Sequence, residues 1–251
     1  MAKVFLSAGH GGTDPGAVAY GLKEKDVNLN IMLACKAELE HYGVKVVCSR
    51  TKDENDPVGQ EVKEANASGA DIAVSFHNNA GGGDGSETFY YGTSANGKKL
   101  AQLCEKYTKA IGQNSRGIKD GSKLYFVKNT KMTAVLCESA FIDNNKDNDI
   151  IDTVAEQQKF GIAYAKAILE YFGIKRKADA EKKPDASFLV KVKINDLNIR
   201  AGAGTGYTRI KYIMPGVYTI VEVKTGKGST KGWGRLKSGE GWISLDFVER
   251  V

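Results

Sequence analysis

No apolar run in this sequence approaches the roughly 20 residues that a membrane-spanning helix needs. The N-terminus, MAKVFLSAGH, carries one basic residue and an apolar stretch too short for a secretory leader, so the sequence predicts a soluble chain made in the cytoplasm without a signal peptide and without membrane insertion. Cysteine is scarce. Cys35, Cys48, Cys104 and Cys137 are widely spaced, form no CxxC and lie within apolar runs, which argues against a disulfide framework or a sulfur-ligated metal knuckle and predicts buried, reduced thiols. Histidine is scarcer still: the chain holds only His10, His41 and His77, so each can be weighed separately.

What is present suffices for a folded enzyme-sized domain. With 251 residues and 41% hydrophobic content the chain can bury a core of its own, either as one large domain or as a medium domain with a small companion. The charge pattern favours the second arrangement. Residues 1–174 hold 20 Lys and Arg against 22 Asp and Glu, whereas residues 188–251 hold 11 against 5 and thus account for a charge of +6. Between them KRKADAEKKPDAS, residues 175–187, is polar, charged and without apolar periodicity, the pattern of a linker between two folded units.

In the first unit, apolar runs of strand length alternate with helical patterns. KVFLSA (3–8), VKVVCS (44–49), DIAVSF (71–76), ETFYY (87–91), LYFV (124–127) and TAVLCE (133–138) read as strands. Val27, Ile31, Ala34, Cys35, Leu39 and Tyr42 recur at helical steps and are followed by Gly43, a stop signal. Further helices are predicted near 57–68, 95–112 and 155–172. The alternation predicts an α/β unit with a mostly parallel sheet flanked by helices.

That topology gathers chemistry at one edge. His10 follows the first predicted strand, His77 follows DIAVSF, and Glu138 ends TAVLCE, so all three should emerge at the carboxyl edge of the sheet, where ligands bind in open α/β folds. Glu24 precedes a helix expected to start near Asp26, which places it at the same edge. Two imidazoles with a carboxylate are a ligand set for catalytic zinc, and a second carboxylate beside a metal-bound water would complete a hydrolase. Each residue also has an ordinary reading. A histidine in a glycine-rich loop is often just hydrogen-bonded, Glu24 suits the first turn of any helix, and His41, in ELEHYG at a helix C-terminus, complements the helix dipole. Glu138 is harder to explain away, because it ends a run that should be buried, where an unpaired carboxylate is costly.

Three separate blocks, AGHGGTDPGAVAYGLKEKDVNL, ADIAVSFHNNA and AVLCESAFIDN, resemble the signature blocks of the zinc-dependent N-acetylmuramoyl-L-alanine amidases, the amidase-3 family of cell-wall hydrolases. The resemblance covers about residues 3–173. It implies that His10, Glu24 and His77 bind Zn2+ and that Glu138 is catalytic. It further implies cleavage of the amide between N-acetylmuramic acid and the L-alanine of the stem peptide. Ala140 stands where family members usually have glycine, and Met132 where they often have proline; both changes bear on substrate fit more than on metal binding. The segment between His77 and Glu138 shows no long insertion of the kind that adds a zinc-blocking helix in some relatives.

The tail, residues 188–251, reads as short strands with glycine-rich turns, a small all-β barrel. LNIRAGAGTGY, GVYTIVEV, GWGRL and GWISLDFVE resemble the bacterial SH3-like domain, which implies a cell-wall-binding module. Trp233, Trp242, Tyr207 and Tyr212 could equally well pack the barrel, so no tail residue is singled out for binding. The expected partner is bacterial peptidoglycan rather than nucleic acid, although a basic tail gives both the same electrostatic signal. The expected role is that of a phage or prophage endolysin acting on the wall after release, or else an autolysin exported by another route. A non-catalytic wall-binding protein that kept the fold is the alternative, and a missing ligand or base would have favoured it.

Overall fold

The computed structural model describes residues 1–175 and 187–251, in two compact units divided between residues 176 and 177. Residues 176–186, nearly all of the expected linker, lie outside the described residues.

In chain order the first unit contains β1 (Lys3–Ala8), β2 (Val18–Ala19), β3 (Leu22–Lys23), α1 (Glu24–His41), β4 (Lys45–Cys48), α2 (Val58–Ala67), β5 (Ile72–Asn79) and β6 (Ser86–Tyr90). It continues with α3 (Ala95–Lys109), β7 (Ser115–Asp120), α4 (Tyr125–Asn129), β8 (Thr133–Phe141), α5 (Asn145–Asn148) and α6 (Val154–Tyr171). Six strands form one sheet in the order β4-β1-β5-β8-β6-β7. Neighbours are parallel except β6 and β8, which are antiparallel, so the sheet is mixed and mostly parallel.

Period-two alternation divides the apolar residues of each central strand between two layers. Val4, Leu6 and Ala8 of β1, Ile72, Val74 and Phe76 of β5, and Val135 and Cys137 of β8 join the large core beneath α1, α3 and α6. Phe5, Ala73 and Ala134 instead meet Val62 and Ala65 of α2 and Phe126 of α4 in a smaller core. The first layer is tight: a Cβ on Gly161 of α6 would stand 2.3 Å from the Ile31 carbonyl oxygen of α1, so only glycine lets those helices approach so closely. Three of the four free cysteines, Cys35, Cys104 and Cys137, are buried, while Cys48 is half-buried.

Three sequence expectations need correction, and one strand was not anticipated. LYFV is not a strand but lies at the start of α4, where Phe126 and Val127 are both buried. A strand would turn one of that adjacent pair outward, whereas a helical turn keeps both against the core. A strand not anticipated, β7, has the sequence SRGIKD, too polar to show strand patterning, and runs along the sheet's rim. The helix expected from about Asp26 starts at Glu24 itself. Neither His77 nor Glu138 terminates a strand: β5 runs on to Asn79 and β8 to Phe141.

The second unit is all-β. Strands β9 (Phe188–Val192), β10 (Leu197–Arg200), β11 (Arg209–Ile213), β12 (Gly216–Lys224), β13 (Trp233–Leu236), β14 (Trp242–Ser244) and β15 (Val248–Arg250) form an antiparallel sheet in the order β11-β10-β14-β13-β12-β9-β15. Val190, Val192, Ile199, Ile220 and Ile243 fill its core. Trp233 and Trp242 are buried, so they serve packing, whereas Tyr207 and Tyr212 are exposed.

Candidate metal centre

The GHGG loop leaves β1 and turns sharply. His10 adopts a left-handed backbone, φ 65°, a conformation uncommon outside glycine and often associated with functional sites. A two-bond bridge between Gly11 and Asp14 closes the turn. The imidazole of His10 is then fixed from one side, its Nδ1 lying 2.8 Å from Asp14 Oδ2. Gly9 has a different duty. A Cβ there would lie 2.1 Å from His77 Cε1, so the His77 ring rests directly on the glycine backbone.

Glu24, the first residue of α1, supplies the carboxylate between the two rings. Its Oε2 is 3.2 Å from His10 Nε2 and its Oε1 is 3.1 Å from His77 Nδ1. Backbone amides of Ala17 and Asn78 donate to the same carboxylate at 2.9 and 3.1 Å. The two imidazoles meet edge to face with centroids 5.1 Å apart. One ligand atom each from His10, Glu24 and His77 lies within 4.8 Å of the others, and among the described residues no other group of three His, Cys, Asp or Glu does so. Two nitrogens and a carboxylate oxygen at this spacing fit a divalent metal of the zinc type, with the remaining His10 nitrogen already committed to a carboxylate, as metal-bound histidines usually are.

Glu138 stands on the adjacent strand, directly opposite His77 in the β5–β8 register. Its Oε2 is buried and has no hydrogen-bond partner. Burial pushes its carboxyl up to about 7, the range in which one group can both accept and return a proton near neutrality. His41 plays no part here; it is the last residue of α1, as its position in the sequence suggested.

Residues that sequence reasoning missed hold this arrangement. Arg50 is buried, and its guanidinium donates to four backbone carbonyls: Ala8 at 2.9 Å, Gly9 at 3.4 Å, Lys25 at 2.7 Å and Lys52 at 3.2 Å. It thereby ties the His10 loop to the first turn of α1, which carries Glu24. Asn28 donates to the Gly9 carbonyl at 3.0 Å and accepts from Asn78. Neither residue had a signal in the sequence, because an arginine after a strand and an asparagine in a helix look like solvent-facing residues.

The charges are tightly linked. A bond to Glu24 pushes the His10 imidazole up to about 9 against its own burial. Burial works to raise Glu24, but the bonds from His10 and His77 hold it well below the usual carboxylate range. A group raised above its unfolded value stabilises the fold at low pH and loses that contribution as pH rises through its folded value; a depressed group does the reverse. In the metal-free protein, His10 therefore loses its stabilising contribution from about pH 6.5 to 9 and Glu138 from about 4.5 to 7, whereas Glu24 loses its own below about 4.5. Thermal melts of the metal-free protein are expected to peak near about pH 5 and to decline toward pH 9. A melting temperature that stays flat across that interval would contradict the pairing.

Comparison with known proteins identifies the family. The family profile described as Amidase_3, N-acetylmuramoyl-L-alanine amidase, matches residues 4–170. The chain is 34% identical over 208 residues to N-acetylmuramoyl-L-alanine amidase CwlM of Bacillus licheniformis, covering 81% of this chain and 82% of that protein. It is 38% identical over 193 residues to the endolysin of Bacillus phage SPP1, covering 72% and 71% of the two chains. Among solved structures it is similar to the catalytic domain of CwlV, an N-acetylmuramoyl-L-alanine amidase from Bacillus (Paenibacillus) polymyxa var. colistinus, with TM-score 0.65 and 32% identity over 70% of this chain and all of that one.

Proposed function

Because the chain belongs to the N-acetylmuramoyl-L-alanine amidase family, we propose that it cleaves the amide joining the lactyl group of N-acetylmuramic acid to the L-alanine of the stem peptide in bacterial peptidoglycan, as a zinc enzyme. The observation that carries this reading is a single carboxylate, Glu24, flanked by two imidazoles, beside an unpartnered buried carboxylate on the next strand. His10, Glu24 and His77 would hold the ion. When bound, zinc lowers the pKa of its water to about 7 and polarises the carbonyl under attack. Glu138 takes a proton from the attacking water and delivers it to the amide nitrogen as the C–N bond breaks, leaving a carboxylate on the lactyl group and a free amino group on L-alanine. Asp14 keeps the His10 ring turned so that Nε2 faces Glu24.

The second unit is, in this reading, an SH3-like module that concentrates the enzyme on the wall. Its seven-stranded antiparallel sheet and its excess of 11 basic over 5 acidic residues support that role. The likeness to the endolysin of phage SPP1 supports lysis from within as the setting. The presence of His10, Glu24, His77 and Glu138 in the chain favours this reading over the non-catalytic alternative.

Mass analysis of digested peptidoglycan tests the reaction: a new L-alanine amino terminus with intact glycan strands is expected, and any other cut refutes it. The division of labour is testable with a fragment of residues 1–174, which contains the whole larger core. This fragment is expected to cleave small soluble muropeptides about as fast as the full chain but to lag on intact walls, where tethering raises local concentration. Wall pelleting should show weaker binding by the fragment, and salt should weaken binding by the full chain. Equal binding by both proteins would reject the targeting role.

A further inference from the structure

Four neighbouring strands, β5, β8, β6 and β7, present a continuous row of polar side chains that extends past the proposed catalytic group. His77 is opposite Glu138, Glu138 is opposite Glu87, and Glu87 meets Arg116. Opposed residues on paired strands point to the same face of a sheet, so the row lies on one surface. Strands are spaced about 4.8 Å apart, which puts Arg116 about 10 Å from Glu138, two strands away.

Arg116 is held as a preorganised cation. The β6–β7 register shifts between Ser86 and Thr88, so Arg116 and Gly117, the latter at φ 82°, together oppose Glu87. Such bulges re-aim side chains and occur beside active sites. Arg116 Nε donates to Glu87 Oε2 at 3.0 Å, and the guanidinium lies over the Phe141 ring at 5.0 Å. The other oxygen of Glu87 accepts from Asn79, two residues beyond His77, at 2.9 Å. Among the described residues the two terminal nitrogens of Arg116 make no hydrogen bond, and the side chain is 41% exposed. A guanidinium gripped through Nε, lying over a ring and free at its terminal edge is arranged to take a carboxylate in bidentate fashion.

We infer that Arg116 is a specificity-determining residue that binds a carboxylate of the stem peptide, namely that of the second residue, next to L-alanine. This rests on the amidase reading above. An extended peptide covers the distance from Glu138 to Arg116 in about two to three residues, and the arginine side chain reaches back along the row. Without Arg116, a substrate carboxylate in this place would meet the like charges of Glu87 and Glu138 with no guanidinium from β7 to offset them.

The test uses the full-length, zinc-loaded protein and two soluble N-acetylmuramoyl tripeptides that differ only in the second residue, free α-carboxylate in one and carboxamide in the other. The parent is expected to prefer the carboxylate by about ten- to a hundred-fold in kcat/KM, the usual range for hydrogen bonds to a charged group. R116Q should bring that ratio close to one, a change that mere loosening of the sheet edge would not produce. If R116Q fails to fold, R116K serves: it lacks the fork and should lose most of the preference. A parent indifferent to the carboxylate, or variants that keep the full preference, would overturn the assignment while leaving the amidase reading intact. A parent that frees no L-alanine amino terminus from either compound would overturn the amidase reading itself.

Discussion

Replacing His77 by alanine is expected to remove tightly bound metal and hydrolytic activity together. His77 contributes one of three donor atoms in a cluster that spans less than 5 Å, and its ring is also one of the groups pinning the Glu24 carboxylate, with His10 and the Ala17 and Asn78 amides. Loss of a supporting group around a metal ligand costs about 10- to 100-fold in affinity, and loss of the ligand itself should exceed that. The fold should survive, because His77 is half-buried near the carboxyl end of β5 and lies outside both cores of the first unit. Metal content after dialysis, competition with a chelator and a thermal melt distinguish the cases. A folded H77A protein that still holds one zinc per chain at the parent's affinity would refute the ligand assignment, whatever its activity.

E138Q should separate binding from chemistry. Glutamine keeps the shape of the side chain but cannot accept a proton, so turnover is expected to fall about 10²–10⁴-fold while zinc remains bound. The same change removes a carboxylate whose Oε2 is buried without a partner and whose ionisation is opposed by burial. E138Q is therefore expected to be at least as stable as the parent at pH 8, where the parent must hold that charge. Steady-state turnover, metal content and melting at pH 8 check the three parts. Turnover within a few-fold of the parent would mean that another group is the base.

The two variants probe residues whose types stood out in the sequence, while their support did not. His10 and His77 were conspicuous because the chain has so few histidines, and Glu138 because it follows an apolar run. Arg50, Asn28 and Asn78 were not, since their value lies in the backbone carbonyls and carboxylate they reach, and those partners come from distant segments. Arg116 was invisible for a related reason: SRGIKD has one large apolar residue and no alternation, so neither the strand nor the ion pair with Glu87 had a local signal.

By itself the sequence determined the α/β class of the first unit, the β-rich tail and the four residues of the proposed machinery, because hydrophobic periodicity, turn residues and rare side chains are local properties of the chain. Only the tertiary structure decided that β6 runs antiparallel to β8, that LYFV turns into a helix, and that His77 and Glu138 lie within strands as register partners. Strand direction and register arise from which neighbour buries which face, and that choice is made between segments tens of residues apart. The same long-range pairing sets Glu24 between two imidazoles: the carboxylate enters from a helix start, one ring from the loop after β1 and the other from β5, and their distances exist only once the sheet has closed around them.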